Sequence, residues 1–189
     1  MKKTFNPKII LFNGPPGSGK DTAAQFLNSH LNLAARMMKF ATPIKECIPH
    51  LFNDERSVDF FDRNKDKAFS ELFGLTPRQV MIAISEDFMK PLFGEDVWTR
   101  IAINRIVAGR SIYKHVIFSD CGFNIEVETL AEEFGKKNLL VIRMIRKGKD
   151  YKRDSRQDVV VKGVRTLLVR NDKGFEELQD EVISAFKSW

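Results

Sequence analysis

The sequence predicts an α/β fold, a five-stranded parallel sheet with helices on both faces. Three observations predict it. Short continuous apolar runs alternate with segments of helical periodicity along most of the chain. The runs have the length and composition of strands buried on both faces. A glycine-rich stretch, Gly14-Pro15-Pro16-Gly17-Ser18-Gly19-Lys20, joins the first run to the first helix. Strand, glycine-rich turn and helix is the setting of a phosphate-binding P-loop. Alternation of strands with helices makes neighbouring strands parallel and covers both faces.

The first strand is Ile9-Ile10-Leu11-Phe12. The helix from Thr22 to Leu31 follows, with Ala23, Phe26, Leu27, His30 and Leu31 on one face. Met37-Met38-Lys39-Phe40 reads as a short second strand. A helix then opens with Thr42 as N-cap and Pro43 at its first position. The polar stretch from Asn53 to Lys67 reads as a mobile loop anchored by Phe60 and Phe61. Thr76 and Pro77 start another helix, with Val80, Met81, Ile84 and Phe88 as its apolar face. A further helix runs from Asp96 to about Ala108, with Val97, Ile101, Ile103 and Val107 apolar. His115 to Asp120 is the third strand, and Phe123 to Phe134 the helix after it. Leu139-Leu140-Val141-Ile142 begins the fourth strand. A basic stretch follows, spaced as on a polar helix or a lid. Thr166-Leu167-Leu168-Val169 is the fifth strand, and Phe175, Leu178, Val182, Ile183 and Phe186 mark the closing helix.

A chain of 189 residues makes one domain with room for a helical insertion. The expected core is 1–42 and 112–189, the insertion about 43–110 and the lid about 146–158. With 43% hydrophobic and 30% charged residues, the composition is that of a globular protein. No apolar run nears the ~18–20 residues of a membrane span. The apolar stretch behind Lys2 and Lys3 is too short for a signal peptide. Cys47 and Cys121 form neither a disulfide framework nor a metal spacing, which points to a reducing cytoplasm. His30, His50 and His115 are scattered and suggest no zinc site. Of 31 basic and 25 acidic residues, seven bases and two acids fall between Arg143 and Arg156, and the rest of the chain holds 24 and 23. A surplus confined to one segment suits a small polyanion such as a nucleotide better than a nucleic-acid footprint.

The pattern G-x-x-x-x-G-K-[ST] is met at Gly14, Gly19 and Lys20 but broken at Asp21, with Thr22 one place later. Glycines let the backbone bend around an anion and turn several N–H groups toward it. The helix dipole adds to this, and Lys20 brings a full charge to the outer phosphates. Asp21 is a hard oxygen ligand for magnesium, directly or through water, with Thr22 beside it. The plainer reading is a glycine turn with Asp21 as a first-turn acid. Asp120 ends a strand on the P-loop edge of the sheet, where P-loop proteins place a magnesium- or substrate-directed acid; the plainer reading of a strand-ending Asp is a turn residue or helix cap. Lys45 and Arg78 are bases in first turns. The helix dipole gives no reason for them there, and they are candidates for holding a phosphate. Glu126, an acid in a first turn, has an ordinary dipole explanation.

The chain resembles the nucleoside monophosphate kinases, and more closely the phage-type deoxynucleoside monophosphate kinases. The residues that carry this are Ser18-Gly19-Lys20-Asp21-Thr22 with its unusual Asp, Phe40-Ala41-Thr42-Pro43-Ile44-Lys45, and Arg78-Gln79-Val80-Met81. Asp96-Val97-Trp98, Thr166 to Asp172 and Glu176-Glu177-Leu178 add to it. The resemblance implies a three-layer P-loop kinase fold with a helical acceptor-binding insertion and a short basic lid. It implies transfer of the γ-phosphoryl group of ATP, with Mg2+, to a deoxynucleoside monophosphate. In that scheme Gly14, Gly17, Ser18, Gly19, Lys20, Asp21, Thr22 and Asn171 hold ATP. Asp21, Thr22 and, in the outer shell, Asp120 serve the metal. Lys20 with the lid arginines Arg146 and Arg153 stabilises the migrating group. Lys45, Arg78 and Arg100 take the acceptor phosphate, Trp98 packs near its base, and Asp120 and Glu126 bond its sugar or base. The partners implied are small nucleotides rather than nucleic acid or membrane, in a cytoplasmic monomer or homodimer, the host cytoplasm if phage-encoded. The chain departs from the family after Asp120, where members can carry an Arg-Gln pair that helps hold the substrate and this sequence has Gly122 and Phe123. Two other readings fit the same signals. One is a kinase of the dephospho-coenzyme A or phosphomevalonate type, the latter also showing Gly-Lys-Asp. The other is a nucleotide-binding protein without catalysis.

Overall fold

The computed structural model describes residues 6–31, 35–109, 112–152 and 154–189. Strand β1 (Lys8–Asn13) is followed by α1 (Lys20–His30) and β2 (Ala35–Met38). A helical stretch comes next: α2 (Thr42–Leu51), α3 (Val58–Arg63), α4 (Pro77–Ile82), a π-helical segment Ala83–Met89, α5 (Lys90–Phe93) and α6 (Val97–Ala108). Then come β3 (His115–Cys121), α7 (Asn124–Phe134), β4 (Leu139–Ile145), β5 (Arg165–Arg170) and α8 (Phe175–Lys187). The five strands form one sheet in the order β2-β3-β1-β4-β5. Every pairing in it is parallel. The fold class is therefore the one the sequence predicts.

Strand periodicity builds the two cores. Successive side chains of β1 point to opposite faces. Ile9 and Leu11 join Val116, Phe118, Leu139 and Val141 in one cluster, closed by residues of α7 and by Ala102 and Ile106 of α6. Ile10 and Phe12 join Ile117, Leu140 and Ile142 in the other, closed by Ala23, Ala24 and Leu27 of α1 and Leu178 and Val182 of α8. The central strands β1, β3 and β4 are buried on both sides. That is why they read as unbroken apolar runs rather than alternating ones.

The chain divides into two compact units, Met1–Phe40 with Ala102–Trp189, and Ala41–Ile101, so the boundary falls inside α6. The second unit is helical and has a core of its own around Ile48, Phe61, Phe69, Leu72 and Val80. Among the described residues no helix is long and apolar enough to cross a membrane.

Several local expectations are corrected. The Asn53–Lys67 stretch holds a helix, α3, whose N-cap Ser57 accepts a hydrogen bond from the Phe60 N–H at 3.2 Å. Burial of Phe61 against Phe69 overrides the polar composition that suggested a loop. The N-cap of α2 is Ala41 without a side-chain bond, and Thr42 already lies in the helix. Thr76 does cap α4, in a reciprocal box with Gln79. Phe88 and Phe175, expected on buried faces, are exposed. Phe88 follows α4 in the π-helical segment, where a wider turn rotates later residues off the 3.6-residue face. The basic stretch forms no helix among its described residues.

Phe61 is 2% exposed at the centre of the helical unit. Phe61→Ala is expected to lower stability by about 3–5 kcal/mol, as large-to-small changes in a packed aromatic core do. Urea unfolding measures the loss, and hydrogen exchange is expected to place the lost protection in residues 44–81 rather than in the sheet.

Candidate active site

The loop after β1 takes its shape from backbone angles that only glycine adopts readily. Gly17 and Gly19 sit at φ 73° and 96°, in the left-handed region. A side chain at Gly19 would also overlap the Asn171 amide. Asn171 donates through Nδ2 to the Ser18 carbonyl at 2.9 Å, so the turn after β5 pins the crest of the loop. Arg146, just beyond β4, donates to the Gly17 carbonyl at 3.2 Å. These bonds occupy carbonyls of the loop, and the Ser18 N–H closes a turn within it by donating to the Pro15 carbonyl at 3.2 Å. The Ser18 hydroxyl is buried without a hydrogen-bond partner.

Lys20 opens α1 and is 8% exposed. Its Nζ donates to the carbonyls of Gly14 at 2.6 Å and Pro15 at 2.8 Å, curling back over the loop. Burial, and after it the charge of Arg156, lower its pKa to about 8 against the pull of Asp21, Asp154 and Asp120. Asp21 accepts from the Ser119 hydroxyl at 2.7 Å and pairs with Lys39 Nζ at 2.7 Å. Burial works to raise the Asp21 pKa, but the bonds from Lys39 and Ser119 outweigh it and keep the carboxyl ionised. Asp120 accepts the Phe40 N–H at 2.9 Å. The P-loop, Asp21 and Asp120 thus gather at the C-terminal ends of β1 and β3, where the chain switches from one side of β1 to the other.

Glu126 stands in the first turn of α7. Its carboxylate accepts the N–H groups of Gly122 at 2.8 Å and Phe123 at 3.0 Å, closing the start of α7. Burial is the main reason its pKa rises to about 7. In the helical unit, Lys45 pairs with Asp62 at 2.7 Å and Arg78 with Asp66 at 2.6 Å. Arg100 pairs with Asp96 at 3.2 Å. Trp98 donates its indole N–H to the Ser85 hydroxyl at 2.9 Å. Arg153 lies outside the described residues. Thr22 follows Asp21 in the first turn of α1, partly exposed.

Sequence reasoning overlooked Lys39 and Ser119. Ser119 precedes Asp120 and was legible only as part of an apolar strand. Lys39 sits just past β2, an edge strand whose end the sequence misplaced by two residues. Lys149 also lies over the loop, its Cε and Nζ 3.3 and 3.4 Å from where a Gly17 side chain would begin.

No protein-family model matches the chain, and no curated protein matches it. Solved structures do. Across 96% of its length it superposes on 95% of an unliganded sugar kinase from Janibacter sp., at 12% identity and a TM-score of 0.54. Across 97% it superposes on 93% of a gluconokinase from Sinorhizobium meliloti, at 12% identity and a TM-score of 0.51. At such identity the likeness is one of fold alone.

Lys20 is charged below about pH 8 and neutral above it. Titration calorimetry at pH 7, 8 and 9 is therefore expected to show MgATP affinity falling as pH rises, and a flat profile for Lys20→Arg, whose charge persists. Stability runs the opposite way. Between about pH 8 and the unperturbed 10.5, the unfolded chain keeps the Lys20 proton that the folded protein has lost. Lys20 thus contributes a gain in stability with rising pH across that window.

Proposed function

We propose that this protein is an ATP-dependent phosphotransferase, a nucleoside monophosphate kinase that phosphorylates a deoxynucleoside monophosphate. One observation carries the first half: a glycine-shaped loop at the switch point of a parallel sheet, with Lys20 folded over it and Asp21 held ready beside it. The P-loop amides and Lys20 bind the β- and γ-phosphates, and bases of the 146–158 segment stabilise the charge that develops on the migrating group. Phosphoryl transfer asks chiefly for positioning and charge complementarity, and these residues supply both.

The site fits a divalent ion that arrives with the triphosphate. Among the described residues no cluster of three or more ligand side chains exists to cage a metal. Magnesium commonly takes one or two carboxylates and fills its remaining positions with water and phosphate oxygens. Asp21, with Thr22 next to it and Asp120 in the outer shell, would provide that hold. The chemistry such an ion would supply there is neutralisation of phosphate charge. Lys39 and Ser119 orient the Asp21 carboxylate for this task, while neutralising part of its charge.

The second half, the acceptor, rests on the resemblance of residues 40–45, 78–81 and 96–98 to the deoxynucleoside monophosphate kinases. Lys45, Arg78 and Arg100 would exchange Asp62, Asp66 and Asp96 for the acceptor's phosphate, a stronger partner in charge. Trp98 offers a ring near a base. Asp120 would bond the acceptor's sugar. For Glu126 to do so it would have to release the amides that close α7. The two solved neighbours act on sugars or gluconate by name, so an anionic sugar is the second acceptor class to test.

The deciding experiment is ADP formation from MgATP with each deoxy- and ribonucleoside monophosphate, and with gluconate. Turnover dependent on a deoxynucleoside monophosphate is expected. Turnover only with gluconate would move the assignment to a sugar kinase, and ATP binding without any acceptor-dependent turnover would end the catalytic reading. Lys20→Ala is expected to lower turnover at least ~100-fold with the fold unchanged by circular dichroism. Asp21→Asn is expected to raise the magnesium concentration that gives half-maximal rate, and an unchanged requirement would remove Asp21 from the metal's surroundings.

A further inference from the structure

The basic segment is not equally free along its length. Its C-terminal part is tied to the ends of the sheet strands. Asn13, the last residue of β1, donates through Nδ2 to the Gln157 carbonyl at 2.9 Å and accepts the Val159 N–H through Oδ1 at 3.1 Å. The Gln157 N–H donates to the Gly122 carbonyl at 3.0 Å. Arg143 of β4 pairs with Asp158. Asn13 is fully buried, so these are bonds it cannot exchange for water without cost. Val159, next along, is fully buried in the core beneath α7.

Arg156 stands within this tied stretch. Its stem lies directly on Gly122: a Cβ at that position would overlap Cβ, Cγ and Cδ of Arg156. These are the root of the side chain, not its flexible end, so the arginine could not step aside at small cost. Gly122 is outside the positive-φ glycines, so its backbone would accept alanine. What requires glycine there is the arginine packed on it. The guanidinium is fixed at its other end by Asp154, with Nε donating to Oδ1 at 2.8 Å and Nη2 bonded to Oδ2. It interacts electrostatically with Lys20 and with Asp120. Asn13, which ties this stretch down, is also the residue before Gly14, so Arg156 is held beside the root of the glycine loop with its charge shared by Asp154.

We infer that Gly122 and Asn13 are positioning residues that seat Arg156 as a fixed phosphate-binding arginine of the P-loop site, one that does not travel with the rest of the basic segment. This rests on the reading of that site as a triphosphate site. The ligand recognised is the terminal phosphate of a nucleoside triphosphate, the group that Lys20 also faces.

The test is a binding cycle, read separately from turnover. Kd values for MgATP and MgADP are measured by titration calorimetry for the wild type, Arg156→Ala, Gly122→Ala and the double variant, with melting temperatures alongside. Arg156→Ala is expected to weaken MgATP about tenfold or more while leaving MgADP within about twofold, since a hydrogen-bonded charge pair is lost only at the terminal phosphate. Gly122→Ala is expected to reproduce that selective loss, and the double variant to bind no worse than Arg156→Ala, because both act through one side chain. Additive losses, equal weakening of ATP and ADP, or unchanged ATP affinity in Arg156→Ala would overturn the inference. Wild-type binding of ATP with the expected cycle but without transfer to any acceptor would leave it standing while the proposed function fails. A wild type that binds no ATP would overturn both.

Discussion

The rest of the site depends on the conformation of residues 14–19. A loop curled this tightly must direct its carbonyls somewhere, and each buried carbonyl needs a donor. Lys20 serves Gly14 and Pro15, Arg146 serves Gly17, and Asn171 serves Ser18. The donors come from α1, from beyond β4 and from the turn after β5. The loop is therefore held by three separate parts of the sheet unit, and its shape follows from where those parts converge. Left-handed glycines make the shape accessible, and the donors make it the one adopted.

Asp21 shows how one unusual residue recruits its neighbours. An acid at the start of α1 is favourable for the helix dipole, but beside a loop proposed to hold phosphate it adds charge of the wrong sign. Lys39 and Ser119 answer that by pairing with the carboxylate from the ends of two adjacent strands, β2 and β3. The result is an ionised acid with partners already in place, suited to sharing a cation rather than repelling an anion. Glu126 illustrates the opposite outcome for the same residue class. Two backbone amides and the surrounding core take it up, and its carboxylate serves the helix that carries it.

Much of this was legible because the strands are buried on both faces. Continuous apolar runs, a glycine turn and a helical face leave little freedom to β1, α1, β3 and β4, and each was readable within a few residues. The edge strand β2 was harder to place, since half of its surface faces solvent and its pattern is correspondingly weak. The helix α3 was hidden for a related reason. Its stretch is polar in composition, and only packing of Phe61 against Phe69 and Phe60 turns it into ordered structure. Exposure of Phe88 and Phe175 could not be read from spacing, because a π-helical turn and a helix start change which face a residue occupies.

By itself the sequence determined the α/β class, the parallel order of alternation, the glycine loop and the lysine that opens the helix after it, since these depend on contacts between residues near one another in the chain or on unbroken apolar runs. Only the tertiary structure decided who stands beside whom at the sheet's edge. Lys39 meets Asp21, Asn171 meets Ser18, and Arg156 lies on Gly122 across separations the sequence does not encode locally. Those pairings arise because a parallel sheet brings the C-terminal ends of distant strands to one line, where charge, hydrogen bonding and the space left by a missing Cβ select the partners.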